Sequence, residues 1–360
     1  MTDDLSIVVG SAQVSGWTSI RLTRGIERLP SDFQIEMTEY FPESGLSTVV
    51  QAGDPCKVFL GADLVLTGYV DEYSPKIDGQ SHSVSLSGRS KCEDIVDCSA
   101  EYPNSQISGG TALSIAKVLA SPYGITVTQI SGGNPTIPQF NLLLGETAVE
   151  IIERVTRNSS LLYYDMPDGN LVLAQVGTGK MASGIAEGAN VQSATAKFTM
   201  GQRYSEYRVV KVSFFNFNDA NGGGGNYIGE AIDPFVRHRV KYIVSEAGDI
   251  DFVVAQARAL WEAKRRFGKS YSVTVTVDSW RDSAGNLWTP NTLCNVNIPT
   301  LKIINQDWII GEVTYARDDK QGTTATLLLC PATAYSVEPM LIQPISFRDA
   351  TPASAQNGGQ

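Results

Sequence analysis

The sequence contains two similar alternating segments, and the first reads Gly68-Tyr69-Val70-Asp71-Glu72-Tyr73, followed from Gly79 by Gln80-Ser81-His82-Ser83-Val84-Ser85-Leu86. The second reads Gly311-Glu312-Val313-Thr314-Tyr315, followed from Gly322 by Thr323-Thr324-Ala325-Thr326-Leu327-Leu328-Leu329. In each segment the two glycines lie 11 positions apart, and a cysteine-bearing pattern precedes them, Cys56-Lys57-Val58 in one and Cys294-Asn295-Val296 in the other. Such alternation is typical of half-buried strands, so the repeat indicates two related β domains.

The first of these domains is predicted to span residues 1–100. Phe33, Ile35 and Met37 alternate with polar residues there, as do the apolar residues of the segment around Cys56. Further strands are expected at residues 17–24, 64–73 and 81–88. Glycine and proline separate these segments at short intervals, which favours a closed or sandwich-like antiparallel sheet.

The pattern changes in residues 101–184, where we predict a small α+β domain. Residues 111–120 and 146–158 are expected to form helices, the first ending at Ser121-Pro122-Tyr123-Gly124 because proline and glycine both interrupt helices. Two short apolar segments flank Pro167-Asp168-Gly169-Asn170, which predicts a hairpin because these residues tolerate tight-turn geometry.

The second β domain is predicted over residues 185–346, with strands at 207–217 and 271–277. One inserted helix is expected at 251–267, with Val253, Ala257, Leu260 and Trp261 on one side and Gly268 as its end. Residues 216–226, which include four consecutive glycines, are expected to be mobile, and residues 347–360 to form a flexible tail. The predicted fold class is β-rich α+β, with two similar antiparallel β-barrel-like domains and a small α+β domain between them.

Composition excludes several classes of protein. The 360 residues carry a net charge of -10, which argues against binding duplex nucleic acid, since such a protein must neutralise phosphates. The start of the chain does not have the cationic and apolar regions of a secretion signal, and no apolar run is long enough for a membrane span. Five widely spaced cysteines are expected to be reduced and mostly buried, and two isolated histidines do not suggest zinc. We therefore predict no cofactor, no metal and no stable membrane insertion.

Candidate catalytic residues have simpler structural explanations. Ser114 and Lys117 have the spacing of penicillin-recognising enzymes, but the partner motifs of that family do not occur in the sequence. Glu146 and Glu150 are interpreted as charges at a helix end and on a helix face, rather than as a glycosidase pair. No residue is predicted to be catalytic, and the protein is not expected to be an enzyme.

Alternating cations provide one candidate interface. In Arg237-His238-Arg239-Val240-Lys241, a strand would place Arg237, Arg239 and Lys241 on one face. Most alternating stripes of charge are simply strand faces exposed to solvent. In an acidic protein, however, the stripe also suggests a surface that pairs with acidic residues of a partner.

Several blocks of the sequence, in order, resemble the baseplate hub (tail) proteins of Mu-like contractile-tail bacteriophages. The blocks extend through nearly the whole chain except the glycine-rich segment and the tail, and no single block is diagnostic. They are Gly16-Trp17-Thr18 to Phe33, Leu66-Thr67-Gly68-Tyr69-Val70-Asp71, Gly88-Arg89-Ser90-Lys91 leading to Asp94, Asp97-Cys98-Ser99-Ala100, Gly145-Glu146-Thr147 to Arg154, Trp261 to Arg266, Trp280-Arg281-Asp282 and Leu287-Trp288-Thr289-Pro290-Asn291.

The resemblance implies a homotrimer at the hub of the tail baseplate, assembled in the host bacterial cytoplasm and located in the virion of a phage or prophage. Its partners would be the tail tube above and the central spike below. Two β-barrel domains in each of three chains would present six barrels, which suits an adaptor between a threefold spike and a sixfold tube. No sequence-specific nucleic acid is expected as a partner.

An alternative function remains open at this stage, a tail-associated glycan-binding or cell-wall-degrading protein. Trp17, Trp280 and Trp288 have aromatic rings that can stack on sugars, although such residues are also common in cores.

Overall fold

A computed structural model describes residues 4–10, 12–38, 50–78, 82–102, 106–107, 109–137, 140–212, 225–244 and 252–337. The strands are β1 Leu5–Val9, β2 Ala12–Val14, β3 Ser19–Gly25, β4 Asp32–Thr38, β5 Pro55–Leu60, β6 Asp63–Ile77, β7 His82–Ser90, β8 Gln106–Ile107, β9 Val127–Gln129, β10 Phe140–Asn141, β11 Leu162–Asp165, β12 Leu171–Ala174, β13 Ile185–Ala186, β14 Val191–Phe198, β15 Glu206–Val212, β16 Gly225–Ile232, β17 Val240–Val244, β18 Tyr271–Val277, β19 Leu293–Ile298, β20 Ile303–Asp318 and β21 Gly322–Cys330. The α-helices are α1 Glu93–Asp97, α2 Ala112–Ala120, α3 Ala148–Asn158 and α4 Phe252–Lys269, with 3-10 turns at Ser121–Tyr123, Pro299–Leu301 and Ala332–Tyr335.

Two arrays of strands with the same order form one 13-stranded sheet. The first array has the order β3-β4-β7-β6-β5-β1, and the second has the order β14-β18-β21-β20-β19-β13; β2, which pairs with β1, is the thirteenth strand. The central hairpins also correspond, because β6 has a bulge between Val70 and Glu72 and β20 has one between Ile310 and Glu312. One difference is that β1 pairs antiparallel with β5, whereas β13 pairs parallel with β19. The predicted repeat and the predicted β-rich fold are confirmed.

The two arrays share a joint and a core. Beyond its bulge, β20 pairs antiparallel with β3, from Glu312 opposite Gly25 to Asp318 opposite Ser19. A single cluster of buried apolar side chains includes residues of both arrays, such as Leu22 and Tyr315. Burial of this apolar surface is the main force that holds the arrays together.

The α+β segment between the arrays has its own apolar core, formed by α1, α2, α3 and the strands around them. Both predicted helices begin with a capping box, in which Thr111 pairs with Ser114 and Thr147 pairs with Glu150. The predicted hairpin is β11 and β12, with Gly169 at its turn in a left-handed conformation that favours glycine.

A separate three-stranded sheet accompanies the fourth helix. β15 pairs with β16 and β17, and the helix covers one face of this sheet. Sequence patterning predicted the strand at residue 207, but its membership of a small sheet outside the arrays is a finding of the structure. We call β15, β16, β17 and α4 the lateral unit. The predicted mobile segment 216–226 lies mostly outside the described residues, and β16 begins at Gly225.

Two details of the α4 prediction are wrong. The helix continues through Gly268 to Lys269, because Gly268 is buried in the helix and packs against the backbone of Ala334. Its buried side chains are Ala255 and Ala259, whereas Leu260 is 44% exposed. Small side chains are required because α4 crosses the backbone of β16 closely, and a Cβ atom on Gly229 would lie 2.5 Å from the Ala255 carbonyl group.

Candidate functional site

The predicted cationic stripe is only partly a strand face. β17 begins at Val240, so Arg237 and Arg239 both lie in the preceding loop; Arg237 is exposed, whereas Arg239 and Lys241 are half-buried. The prediction of one strand through all three cations is therefore wrong, because residues 237–239 are not in a strand and only Lys241 lies in β17. Arg239 and Lys241 are brought together, and Arg237 is separate from them.

Arg239 and Lys241 lie above the ring of Tyr204. The Arg239 guanidinium carbon is 4.9 Å and the Lys241 Nζ 5.4 Å from the ring centroid. Arg239 also donates to the carbonyl oxygens of Met200 at 2.6 Å and Gly201 at 3.1 Å. Both cations therefore stabilise the turn that leads into β15, a role that a strand-face argument did not anticipate.

A buried ion pair lies close to this cluster. Arg203 donates through Nε and a terminal nitrogen to the Oδ2 atom of Asp233, at 3.0 and 2.6 Å. Its guanidinium carbon also lies 4.9 Å from the centroid of the Phe267 ring. Removal of one member would leave the other charge buried without a counterion, so the pair stabilises the base of the lateral unit, while the contact with Phe267 joins Arg203 to α4.

The lateral unit exposes apolar side chains on the sheet face opposite α4. Ile243 packs toward the helix, while its neighbours Tyr242 and Val244 are 54% and 57% exposed. Ile232 at the end of β16 is 67% exposed, and Phe235 in the next turn is 80% exposed. A cluster of exposed apolar groups is characteristic of protein interaction surfaces. The sequence contains a signal for this surface, because β17 has apolar residues on both of its faces.

The joint between the arrays combines polar and apolar contacts. On its outer side the hydroxyl oxygens of Thr23 and Thr314 lie 3.1 Å apart. On its inner side Tyr315 is fully buried, and its hydroxyl donates to the carbonyl oxygen of Trp288. The Trp280 indole donates to the Ala316 carbonyl oxygen at 3.0 Å. The tryptophans near this joint are thus structural.

The alternative of sugar stacking receives no support from these tryptophans. Trp280 and Trp288 are buried, and the Trp288 indole donates to the carbonyl oxygen of Ser279 at 3.1 Å. Trp17 is half-buried, with its indole nitrogen 3.0 Å from the Leu5 carbonyl oxygen.

Carboxylates in a cleft between two helices are paired with cations. This cleft has a volume of about 470 Å³ and lies between α3 and α4. Glu153 accepts from Arg157 at 2.6 Å, and Glu27 accepts from Arg265 at 2.9 Å and from Lys269. Each of these carboxylates thus has a cationic partner on a neighbouring segment or turn of helix. Ser114, which has the Ser–Lys spacing with Lys117, forms the capping box of α2 with Thr111. Its role is therefore structural.

Arg89 is surrounded by three carboxylates at the bulge of β6. Its nitrogens lie 2.7 Å from Asp71, 3.1 Å from Glu93 and 2.9 Å from Asp97. Burial and the negative charge of Asp71 together raise the pKa of Glu93 to about 8, and the opposing effect of Arg89 is smaller. Within the part of the chain that the structure describes, no group of three or more His, Cys, Asp or Glu side chains is placed to hold a metal ion.

The helices were also compared with the requirements of a membrane span. Among the described residues, none of them combines the length and the apolar character needed to cross a bilayer.

Comparison with known proteins gives one consistent result. Residues 4–90 match the family described as Mu phage baseplate assembly protein GpP-like, N-terminal, and residues 92–175 match the second domain of baseplate hub protein gp44-like proteins. Residues 252–338 match the fourth domain of Mu phage baseplate assembly protein GpP.

Individual relatives agree with these matches. The chain is 28% identical to baseplate hub protein gp44 of Escherichia phage Mu, over 94% of this chain and 90% of that protein. It is also 28% identical to the 43 kDa tail protein of prophage MuSo2 from Shewanella oneidensis, with a TM-score of 0.82 over 94% of this chain and 100% of the other. By their descriptions, one of these relatives is a baseplate hub protein and the other a tail protein.

A more distant structure shares the fold. A type VI secretion component of E. coli, described as similar to the T4 bacteriophage tail proteins gp27 and gp5, matches with a TM-score of 0.58 at 12% identity, over 94% of this chain and 80% of that one. The repeated arrays, the successive domain matches and the near full-length similarity to Mu gp44 lead to one conclusion, which also confirms the resemblance found in the sequence. The chain is a homologue of the Mu baseplate hub protein gp44, and three of its segments match domains of Mu-type phage baseplate proteins.

Proposed function

We propose that the chain forms a homotrimer at the hub of a contractile phage or prophage tail, where it joins the tail tube to the central spike. The observation that carries this proposal is the repeated strand order of the two arrays. Three chains with two arrays each offer six similar units to a sixfold tube, and the trimer itself matches a threefold spike. The site of action is the virion tail baseplate, after assembly in the host bacterial cytoplasm.

The proposal keeps four segments with distinct roles. Residues 1–100 and 185–346 carry the two barrel-like domains and residues 101–184 the α+β domain between them, while residues 347–360, the tail expected from the sequence, lie outside the described residues. Of the three predicted contact cations, exposed Arg237 is the one we assign to a partner, while Arg239 and Lys241 support the surface from beneath.

Light scattering of the purified chain across a dilution series tests the oligomer. We expect a stable species near three times 38.8 kDa. Mixing this species with the purified tube and spike proteins of the same phage should then give a complex that contains all three. A chain that stays monomeric at every concentration and in the presence of both partners would contradict the proposal.

A further inference from the structure

Arg24 is a buried cation on an otherwise apolar face of β3. Ile20, Leu22 and Arg24 alternate along this strand, so their side chains point to the same inner face. Ile20 and Leu22 belong to the apolar core that the two arrays share, and Arg24 is itself only 7% exposed. Burial of a guanidinium group costs free energy unless an acceptor or an opposite charge compensates it.

The part of the chain that the structure describes provides no such compensation for Arg24. No carboxylate there forms an ion pair with it, and no oxygen accepts a hydrogen bond from its guanidinium group. The two nearest arginines in the sequence differ, because Arg21 and Arg28 both form ion pairs with Asp32. The N–H groups of Arg24 are therefore available to an anion.

Arg24 lines a second cleft, of about 400 Å³, where three parts of the chain meet. The start of β6 forms one wall, the hairpin of β11 and β12 forms another, and Leu287 and Thr289 of the second array contribute a third. Two apolar residues that line this cleft are well exposed, Ile130 at 65% and Met166 at 38%. The cleft is therefore open to solvent and combines charged groups with apolar surface.

Tyr164 supplies a second donor to the same cleft. Its side chain is almost fully buried, and its hydroxyl oxygen accepts a hydrogen bond from the side-chain amide of Asn291 at 3.0 Å. Among the described residues, none accepts the hydroxyl proton in turn. Burial raises the pKa of this hydroxyl, and the amide of Asn291 and the charge of Arg24 offset that rise only in part. Tyr164 therefore keeps its proton and can donate it to a bound acceptor.

The other charged groups of this cleft already have partners. Arg281 donates to Asp63 at 2.7 Å, so these two charges compensate each other. The two carboxylate oxygens of Asp165 accept from the amide and the hydroxyl of Ser31, at 3.0 and 2.8 Å. The Asp165 side chain also lies on the opposite face of β11 from the adjacent tyrosine. Among the described residues that line the cleft, Arg24 is thus the cation left unpaired.

We propose that this cleft binds a carboxylate on an acidic segment of a partner protein, held by the Arg24 guanidinium and the Tyr164 hydroxyl. A guanidinium group is planar and matches the two oxygens of a carboxylate. One unpaired cation also balances one negative charge. A phosphate monoester carries nearly two charges at neutral pH, and the nearby carboxylate of Asp63 would repel it more strongly.

The apolar surface of the cleft favours a polypeptide over a small organic acid. Ile130 and Met166 would remain exposed beside a bound acetate, whereas the side chains that flank an acidic residue in a peptide would cover them. The inference rests on the proposed hub function only for the source of the segment, a tail protein. The site itself is a property of the single chain.

A peptide array tests the chemistry of the site. Each spot carries a short peptide with varied flanking residues around a central Glu, Gln or phosphoserine, and the array is probed with the labelled full-length chain. We expect the Glu peptides to bind at least about tenfold more tightly than the matched Gln peptides, because a neutral amide leaves the buried cation uncompensated. Equal binding of Glu and Gln peptides, or a preference for phosphoserine, would overturn the proposal.

Variants of the chain test the residues. Fluorescence anisotropy of the best Glu peptide should show at least about tenfold weaker binding to Arg24→Met, and weaker binding to Tyr164→Phe, which retains the ring. Arg21→Met is the matched control, because Arg21 lies on the same strand and is paired with Asp32 outside the cleft. It should bind the peptide as the parent does. Unchanged binding to Arg24→Met would contradict the site.

Urea unfolding of the peptide-free chain separates a binding role from a structural one. Arg24→Met removes a buried charge without a partner and keeps an unbranched side chain, so its unfolding midpoint should equal or exceed that of the parent. A clearly lower midpoint would show that Arg24 stabilises the fold, and would overturn its assignment to a ligand.

Competition and light scattering complete the test. Acetate at the same concentration as the peptide should displace little of it, and displacement as effective as that by unlabelled peptide would overturn the polypeptide as the ligand. A trimeric chain that binds no Glu peptide would overturn the site and leave the hub function standing. Peptide binding by a chain that stays monomeric with its tail partners would support the site and contradict the hub.

Discussion

The hydroxyl oxygens of Thr23 and Thr314, which are 291 positions apart in sequence, lie 3.1 Å apart across the joint between the arrays. Thr23 is 3% exposed, so its hydroxyl depends on protein partners, which are Thr314 and the Arg21 guanidinium. Cross-strand pairs of this kind are the local units of sheet stability. The contact therefore reports whether the joint is formed.

A double-mutant cycle on these residues should give a measurable coupling. We expect Thr23→Val and Thr314→Val to be coupled by about 0.5–1 kcal/mol, because either change alone removes the same hydrogen bond. Urea denaturation followed by tryptophan fluorescence measures the free energies. Thr23→Val combined with Thr276→Val, which lies on a different strand, is the control and should show additive effects. Additivity at the Thr23–Thr314 pair as well would contradict the contact.

Gly229→Val should destabilise the lateral unit. A Cβ atom at this position would lie 2.5 Å from the carbonyl atoms of Ala255, so α4 must move away from β16. We expect a loss of about 1–3 kcal/mol, as is usual for overpacking, and faster proteolysis of α4. Gly179→Ala is a matched control, because its Cβ would meet no atom within 4 Å. Equal stability of the two variants would rule out the close helix crossing.

Glu93 should make the stability of the fold depend on pH. The pKa of its carboxyl is raised in the fold from 4.5 to about 8 by burial and by the charge of Asp71. Between these values the folded chain binds more protons than the unfolded chain, so stability falls as pH rises, by up to about 1.4 kcal/mol per pH unit for one proton.

Unfolding of Glu93→Gln at several pH values checks this dependence. The variant should lose the decline between pH 4.5 and 8. Exposed Glu101→Gln is the control and should retain it. The same decline in Glu93→Gln as in the parent would assign the pH dependence to other groups.

Cys98 should be the one cysteine that reacts rapidly in the folded chain. It is half-exposed, whereas the other four of the five cysteines are buried. Burial raises the pKa of the Cys56 and Cys294 thiols to about 12, and it also raises the pKa of Cys92 and Cys330. Titration with a chromogenic disulfide reagent should give one fast thiol before denaturation and five after it. Cys98→Ser should abolish the fast reaction, and a fast thiol that persists in this variant would show that a buried site opens.

Arg239→Ala and Arg237→Ala should have different effects. Loss of Arg239 removes two hydrogen bonds to carbonyl oxygens and a contact with Tyr204, so we expect about 1–2 kcal/mol of destabilisation. Arg237 is exposed in a loop, so Arg237→Ala should leave thermal unfolding unchanged and weaken only the complex with tail partners. The reverse order of the two melting temperatures would contradict these roles.

Local sequence signals predicted much of the fold because they report local structure. Alternation around Phe33 and Val275 identified strands, and Ser121-Pro122-Tyr123-Gly124 marked the end of the first helix, which ends at Ala120. The repeat of two hairpins also predicted the two arrays. These features depend on neighbours within a few residues or on comparison of one segment with another.

Other features depend on which segments meet, and alternation does not encode this. β15 has the same pattern as strands of the arrays, yet it belongs to the lateral unit. The alternation around Arg239 is that of a solvent-facing residue, but its guanidinium group packs on the ring of Tyr204. Similarly, the partner of β20 lies almost 300 positions earlier in the chain, and no local preference of either strand specifies it.

The continuity of the 13-stranded sheet has a mechanical consequence. No flexible linker separates the two arrays at the joint, since seven residues of β20 are paired with β3. A force along these strands acts on all of the cross-strand hydrogen bonds in shear, so they must break together and not one after another. The joint therefore resists extension as a stiff element, and a pull on one array is transmitted to the other without a hinge.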